Sequence, residues 1–214
     1  MNLDFSPEDQ SFRAEIRAWM RDNIPPSAGP SIGIPSHKET QFAWELKLGA
    51  KGWLAYTWPK EYGGPGWTAT QRYIFETERA LAGAPPSSPF GLAMLGPVLM
   101  HYGTEAQKLR YLPPIARGEE FWCQGYSEPG AGSDLAGLKT RATREGDQYI
   151  VNGQKIWTTQ AHWANFMFCL VRTDPDVPKQ QGISFLLIDM KTPGISVEPI
   201  ITADGNRAGT QEVN

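Results

Sequence analysis

The stretch "FWCQGYSEPGAGSD", residues 121–134, marks a change in the hydrophobic period of this chain. Before it, apolar residues recur at the three- and four-residue spacing of helices, and after it they alternate with a period of two, as in strands. Within the stretch, "FWCQG" is typical of a strand and the following glycines, proline and serine are typical of a turn. The sequence therefore predicts an α+β protein, with an all-α domain over residues 1–120 and a β domain over 121–214.

Five helices are predicted in the first domain. Ser6 caps the first helix, with Pro7 at its first position. Thr104 and Gln107 form a capping box for the last one. The fourth is expected to bend at Gly96-Pro97, because proline lacks the N–H that a helix needs. The other predicted boundaries are prolines 25 and 26 after the first helix, residues 39–50 and 68–82 for the second and third, and glycine 118 after the last.

The second domain is predicted to be an antiparallel, barrel-like sheet. Its strand-like segments are "LKTRATR", "QYIV", "QKIW", "NFMFCLVRT", "ISFLLIDM" and "ISVEPI". Asn152-Gly153 between the second and third segments is the strongest hairpin signal, since a type I′ turn needs positive φ at both central residues. If the strand continues to Thr159, then Trp157 and Thr159 share one face and Thr158 takes the other.

Composition excludes several classes of protein. The net charge is −3 and the basic residues are dispersed, so a nucleic-acid-binding surface is not expected. The apolar runs are shorter than a membrane span and the first 20 residues do not resemble a secretion signal, so we expect a soluble, cytoplasmic protein. Two cysteines and three scattered histidines give no metal-ligand spacing, and no metal site is expected.

Two clusters remain as candidates for ligand binding. In "YSEPGAGSD", Gly130, Gly132 and Ser133 could approach a pyrophosphate, although neither a Rossmann glycine pattern nor the lysine of a P-loop is present. In "IWTTQAHWAN", Trp157 and Thr159 could hold the ring of a flavin. Taken singly, each cluster has a more common structural explanation, a surface turn for the first and ordinary core packing for the second.

Together with the helices before them, the two clusters resemble the acyl-CoA dehydrogenase family. "GYSEPGAGSDLAG" matches its first signature, "NGQKIWTT" follows at the expected separation, and "PKEYGGPG" and "YLPPIARGE" resemble landmarks of its helical domain. The resemblance implies FAD as cofactor and oxidation of the Cα–Cβ bond of an acyl-CoA. A carboxylate then removes the α-proton while a hydride passes from the β-carbon to the flavin.

The resemblance also implies roles for individual residues. Tyr126 and Ser127 would contact the flavin ring, and Gly132 and Ser133 would lie along the pyrophosphate or the CoA arm. Residues 157–159 would line the other side of the flavin. Gln124 is also placed at the cofactor, although its residue type departs from many relatives. The implied acyl-binding residues, together with Ser133, are Gly91, Met94 and Leu95.

Neither acidic residue of the glycine-rich stretch is expected to be the catalytic base. Glu128 is interpreted as part of the loop scaffold, and Asp134 as a turn or cap residue. The resemblance places the base in a C-terminal helical domain beyond Asn214, which the sequence does not contain. A truncated chain, a subunit completed by another chain and a degenerate relative are the three explanations, of which we favour the first.

Substrate and partners follow only from the resemblance. "CQGYSEPGAGSDLA" and "IWTTQAHWA" are most similar to bacterial members that act on branched or polycyclic acyl-CoAs, including steroid side-chain thioesters. An electron-transfer flavoprotein or similar acceptor and a homo- or heterotetramer are implied. The alternatives are a non-catalytic subunit of a hetero-oligomer, a flavin monooxygenase or oxidase of the same fold, and a binding module unrelated to flavin.

Overall fold

The computed structural model describes residues 4–25, 38–201, 203 and 210–214. The chain divides into two compact units, Met1–Glu119 and Glu120–Asn214. The first is helical and the second contains the strands, so the α+β class is confirmed. Within the described segments, no helix combines the length and the apolar character needed to cross a membrane.

Unit 1 contains the helices α1 to α5 and two short helical turns. In chain order they are α1 (Pro7–Asn23), α2 (Lys38–Ala50), a 3₁₀ turn (Lys60–Tyr62), α3 (Ala69–Leu81), a π-helix (Phe90–Leu95), α4 (Gly96–Tyr102) and α5 (Glu105–Ala116). The predicted helices are therefore confirmed. The fourth is not a bent α-helix, because its first half is π-helical. Proline 26 lies outside the described residues.

The helix starts follow the predicted capping chemistry. The Ser6 side chain accepts a hydrogen bond from the N–H of Asp9, and Thr104 forms a complete capping box with Gln107. These bonds satisfy N–H groups that the first turn of a helix leaves without partners. Gly118 follows α5 with φ of 72°, a left-handed conformation that glycine adopts without steric cost.

Aromatic side chains form much of the core of unit 1. Trp53 lies 5.1 Å from Trp19, 5.7 Å from Trp67 and 6.1 Å from Phe75, measured between ring centroids. All eight tryptophans of the chain lie in the described residues, and Trp157 of unit 2 is the only exposed one. Core packing therefore explains the others, and Trp157 requires a separate explanation.

Glu45 of α2 is a buried carboxylate that has no cationic partner among its described hydrogen bonds. Its Oε1 accepts hydrogen bonds from the side-chain amide of Gln41 and, at 2.6 Å, from the N–H of Ser88. Burial raises its pKa to about 7, although these two donors act in the opposite direction. Because the folded-state pKa lies above the ordinary value of 4.5, the folded chain favours the protonated form. The resulting stabilisation is fully present below pH 4.5 and is lost as the pH rises through 7.

Unit 2 is built on a five-stranded sheet. Its strands are β1 (Trp122–Gly125), β2 (Arg141–Glu145), β3 (Gln148–Asn152), β4 (Phe166–Arg172) and β5 (Ile183–Asp189). The long β4 pairs along its whole length with β5 in the antiparallel direction, and on its other edge with β1 and the start of β2 in the parallel direction. A separate two-stranded sheet joins β6 (Val197–Ile200) to β7 (Thr210–Val213).

The predicted antiparallel barrel is wrong, since the sheet is mixed and, within the described residues, does not close. Parallel pairing needs a long connection between strands, and the segment from β1 to β4, which includes the β2–β3 hairpin, supplies one. The predicted hairpin is also wrong. The turn lies at Gly146-Asp147, between the paired residues Glu145 and Gln148. Asn152 instead pairs with Arg141 at the end of β3 and does not have the positive φ that a type I′ turn requires.

We predict that Glu45→Gln, which mimics the protonated carboxyl, stabilises the protein at pH 8 by up to about 3 kcal/mol. The gain should disappear near pH 4.5, where the wild-type carboxyl is also neutral. Urea unfolding at both pH values measures the difference. Glu61→Gln, an exposed acidic residue of the same unit, controls for the loss of one negative charge, and an equal effect of Glu45→Gln at both pH values would contradict the prediction.

Candidate functional site

The glycine-rich stretch follows β1 as a tight loop. Glu128 and Ala131 exchange two backbone hydrogen bonds, of 3.1 and 3.0 Å, which close a turn around Pro129 and Gly130. The loop then continues into a short 3₁₀ turn at Leu135–Gly137. The interpretation of the stretch as a turn is therefore confirmed, and the contacts of Glu128 show why it holds this shape.

The Glu128 carboxylate is fully engaged in holding the loop. One oxygen accepts a hydrogen bond from the N–H of Lys139 at 2.6 Å, and the other accepts from the N–H of Thr140 at 2.9 Å and from the Lys155 ammonium at 2.8 Å. Burial acts to raise the pKa of Glu128, but the Lys155 ammonium and the backbone N–H groups outweigh it and lower the pKa to about 2. The resulting stabilisation is present above pH 4.5 and is lost as the pH falls towards 2.

Lys155 connects the two sequence clusters. Its side chain is only 2% exposed, and besides Glu128 its ammonium donates to the Tyr126 carbonyl at 3.1 Å. Its backbone exchanges hydrogen bonds of 2.7 and 2.8 Å with Val213 of β7, and the next residue, Ile156, donates to the Ser127 carbonyl at 2.9 Å. The structure therefore brings the glycine-rich loop and the tryptophan-threonine segment side by side. Sequence reasoning missed Lys155, although a lysine directly before Ile156 and Trp157 in the predicted strand "QKIW" was a signal.

The tryptophan-threonine segment is a turn, and the predicted strand is wrong beyond an isolated bridge at Lys155. Of the described residues other than glycine, only Trp157 and Gln160 have positive φ, at 61° and 62°. Such backbone costs free energy for a bulky residue and is concentrated at functional sites. The Trp157 side chain is nevertheless 59% exposed, whereas Gln160 is buried. The chain thus holds a large ring in solvent at the expense of backbone strain.

The two threonines beside Trp157 differ in their surroundings. Thr158 is completely buried, and its hydroxyl has no hydrogen-bond partner among the described residues. Thr159 is partly exposed. The Thr158 side chain is therefore buried while those of Trp157 and Thr159 reach solvent, as their predicted alternation between two faces requires. The backbone that produces this difference is a turn, however, and not the predicted strand.

Gly130 and Gly132 are not required by the local packing or by the backbone. Neither has positive φ, and a Cβ atom added at either would meet no heavy atom within 4 Å in the described structure. Space beside an exposed glycine lets an external group approach the backbone closely. Ser133 next to them is also exposed.

Arg172, at the end of β4, holds the far end of the loop. Its guanidinium donates to the carbonyls of Ala136, Leu138 and Lys179 at 2.7, 3.1 and 3.1 Å. Asp134 stands at the cap position of the 3₁₀ turn, but its side chain makes no capping bond and instead accepts from the Lys179 ammonium at 3.1 Å. Five hydrogen-bond donors on Lys155, Arg172 and the backbone therefore fix the loop from both ends.

The remaining candidate residues belong to β1, to the start of the loop that follows it, and to unit 1. Gln124 is on β1 and is partly buried, and the Tyr126 ring meets Phe168 edge-on at 5.8 Å. Three predicted acyl-binding residues belong to unit 1. Met94 is 38% exposed, whereas Leu95 has no exposed area and Gly91 is buried. Leu95 thus packs inside the protein and presents no side-chain surface.

The cysteines are buried and unreactive. Burial raises the pKa of Cys169 to about 11 and raises the pKa of Cys123 as well, so both remain thiols at neutral pH. No group of three metal-ligating side chains occurs in the part of the chain that the structure describes.

We predict that Lys155→Met destabilises unit 2 by about 3 kcal/mol, because it leaves the Glu128 carboxylate buried without its counter-charge. The loss should shrink on acidification, since protonation of Glu128 removes the unpaired charge. Chemical unfolding between pH 4 and pH 8 measures both effects. Lys139→Met removes a neighbouring exposed lysine and should stay within about 0.5 kcal/mol of wild type; an equally small loss for Lys155→Met would contradict the assignment.

We also predict that Trp157→Gly is more stable than Trp157→Ala by about 1 kcal/mol, because glycine relieves the left-handed backbone and alanine does not. Urea unfolding of the two variants measures the difference. The same pair of substitutions at Tyr149, an exposed residue of β3 without positive φ, should give the opposite order. Equal stability of the two Trp157 variants would show that the backbone there is not strained.

The chain matches two family models that together cover most of its length. These describe the N-terminal domain of acyl-CoA dehydrogenases, at residues 6–119, and the middle domain, at residues 123–214. Among curated proteins, the acyl-CoA dehydrogenase IpdE1 of Mycobacterium tuberculosis is 41% identical over 203 residues, which cover 92% of this chain and 53% of IpdE1.

Solved structures agree with this assignment. The Tcur3481-Tcur3483 steroid ACAD is 38% identical to this chain with a TM-score of 0.84. The match covers all of this chain and 55% of the steroid ACAD chain. A chain of the ChsE4-ChsE5 complex from Mycobacterium tuberculosis is 37% identical with a TM-score of 0.82. That match covers all of this chain and 54% of the matched chain. The chain thus spans about half the length of the relatives that it matches, and it belongs to the acyl-CoA dehydrogenase family.

Proposed function

We propose that the protein to which this chain belongs is an FAD-dependent acyl-CoA dehydrogenase that forms a double bond between Cα and Cβ of an acyl-CoA thioester. The observation that carries the proposal is the exposed Trp157 ring, held on left-handed backbone beside the loop that Glu128 and Lys155 organise. A strained, exposed aromatic ring next to open glycines suits a planar, phosphate-bearing ligand. We assign FAD binding to residues 121–214.

The described residues fit a flavin dinucleotide. In our proposal, Trp157 lies against the flavin ring and the Thr159 hydroxyl bonds its edge, while Gln124, Tyr126 and Ser127 approach from the side of β1. Gly132 and Ser133 lie along the pyrophosphate or the CoA arm, because the open space beside the glycine admits a phosphate. Thr158, whose buried hydroxyl lacks a described partner, supports the same side of the site. When bound, FAD supplies the acceptor for the hydride that leaves the β-carbon.

The catalytic base is not Glu128. Both of its carboxylate oxygens accept hydrogen bonds, and its lowered pKa makes it a weak acceptor for an α-proton. We propose that the base lies outside residues 1–214. The relatives are longer than this chain, and the base would belong to a segment that corresponds to their additional length. Residues 1–214 then provide a cofactor face and part of the acyl site.

For the substrate, we propose a bulky acyl-CoA, branched or polycyclic, including steroid side-chain thioesters. The likeness to a protein described as a steroid ACAD supports this choice. In unit 1, the proposed acyl-facing element is the π-helix with Gly91, Met94 and Leu95, of which Met94 carries the exposed side chain. In our proposal, Ser133 of unit 2 contacts the CoA arm of the substrate.

The proposed partners are a second subunit and an electron acceptor. The likeness to the ChsE4-ChsE5 complex supports a hetero-oligomer, and within it a co-catalytic or non-catalytic role for this chain is the second candidate function. A homo- or heterotetramer, an electron-transfer flavoprotein or similar acceptor, and a cytoplasmic location remain predictions. Expressing the protein alone and together with a companion subunit distinguishes the two candidate functions. A self-sufficient dehydrogenase binds FAD and turns over substrate when expressed alone. A subunit of a hetero-oligomer does so only when it is expressed with its companion.

We expect the protein at its full natural length to show a flavin spectrum that bleaches on anaerobic addition of a branched or steroid side-chain acyl-CoA. Thr159→Val should weaken FAD retention about tenfold or shift its spectrum, because it removes the hydroxyl that bonds the ring. Thr143→Val makes the same chemical change at an exposed threonine of β2, outside the proposed site, and should leave the spectrum nearly unchanged, so it is the matched control. A protein that remains colourless with added FAD and any companion subunit would overturn the proposal.

A further inference from the structure

The π-helix at Phe90–Leu95 creates an unusual need for a hydrogen-bond donor. The N–H of Gly96 donates to the Gly91 carbonyl, five residues back instead of the four of an α-helix. At the same spacing, the partner of the Leu92 carbonyl would be residue 97. That residue is Pro97, which has no N–H. The backbone of the turn therefore leaves the Leu92 carbonyl without its donor.

The indole of Trp58 supplies the missing bond. Its Nε1 donates to the Leu92 carbonyl at 2.8 Å, and the side chain is only 2% exposed. A Cβ atom at Gly96 would lie 2.3 Å from the Trp58 ring, so only glycine lets the indole reach this carbonyl. The loop that carries Trp58 is equally constrained, because a Cβ atom at Gly64 would lie 1.8 Å from the Trp58 carbonyl oxygen.

The π-helical turn determines which side chains the helix exposes. A π-turn inserts one residue into a helix, and its removal would rotate the following residues by about 100° relative to the preceding ones. As folded, Ala93, Met94 and Pro97 are exposed, while Leu95 and Leu99 are buried. No charged residue occurs from Phe90 to Met100. The exposed face is thus small, neutral and dependent on the turn.

We propose that Trp58 is a positioning residue that sets acyl-group selectivity, because its indole replaces the N–H absent at Pro97 and keeps the Ala93, Met94 and Pro97 face exposed. The inference rests on the proposed function, in which this helix faces the acyl group. Trp58 does not touch the reacting atoms. It acts through the Leu92 carbonyl, and the arrangement also depends on Gly96, Pro97 and Gly64.

The test compares selectivity among variants of the full-length, FAD-loaded protein, with its companion subunit if one is required. Selectivity is the kcat/KM for a steroid side-chain CoA thioester divided by that for octanoyl-CoA. Trp58→Phe keeps the ring and removes the N–H, and should lower this ratio about tenfold. Pro97→Ala in the Trp58→Phe background restores an N–H at residue 97 and should recover most of the lost ratio.

Trp44→Phe is the matched control. The Trp44 indole is also buried and donates to a backbone carbonyl, that of Pro85, at 3.0 Å. Its removal should lower the melting temperature as Trp58→Phe does, without changing the ratio. Should Trp58→Phe not fold, Gly96→Ala crowds the indole away from the carbonyl and serves as the second variant.

The outcomes separate this inference from the proposed function. A wild-type protein that oxidises neither thioester overturns both. A wild-type protein that oxidises them, with Trp58→Phe and Trp44→Phe equally destabilised and equally selective, leaves the proposed function intact and overturns the role of Trp58. A ratio that falls in Trp58→Phe and is not recovered by Pro97→Ala would also overturn it, because the donor to the Leu92 carbonyl would not be the cause.

Discussion

The buried ion pair between Glu128 and Lys155 is the interaction on which the candidate site depends. Removing two charges from water is costly, and a buried pair is stable only when its remaining hydrogen-bonding capacity is satisfied. Here the carboxylate receives two backbone N–H groups and the ammonium reaches a backbone carbonyl in addition to Glu128. Because the backbone of Lys155 also pairs with Val213, one residue joins the glycine-rich loop, the tryptophan turn and β7. The pair therefore organises the architecture of the candidate site.

That rigidity explains how the chain can keep Trp157 in a strained conformation. A left-handed non-glycine residue costs about 1–2 kcal/mol and persists only where its neighbours determine the backbone. Ile156 is bonded to Ser127 on one side, and buried Thr158 and Gln160 anchor the turn on the other. The exposed ring is thus presented by buried residues around it. A flexible loop would relax to an unstrained backbone and would not hold the ring in one position.

Unit 1 uses a related device at a different place. Pro97 has no N–H to donate to the Leu92 carbonyl, and the Trp58 indole N–H donates to that carbonyl in its place. In both units a local conformation that would be unstable alone is maintained by a distant donor. Each unit can therefore carry an exposed surface whose shape is set by buried polar contacts, which links stability to the proposed binding of cofactor and acyl group.

The sequence alone determined the helices of unit 1, because the cap at Ser6, the capping box of Thr104 and Gln107 and the stop at Gly118 are local interactions. It also indicated the α+β class, the family and a scaffold role for Glu128. The tertiary structure decided the rest. The parallel pairing of β4 with β1, the partner of Glu128 and the donor to the Leu92 carbonyl all depend on residues distant in the chain. Local sequence patterns describe only near neighbours. They predicted a turn at Asn152-Gly153 and a strand that continues through Trp157. Long-range hydrogen bonds instead leave only an isolated bridge at Lys155, and a left-handed turn follows at Trp157.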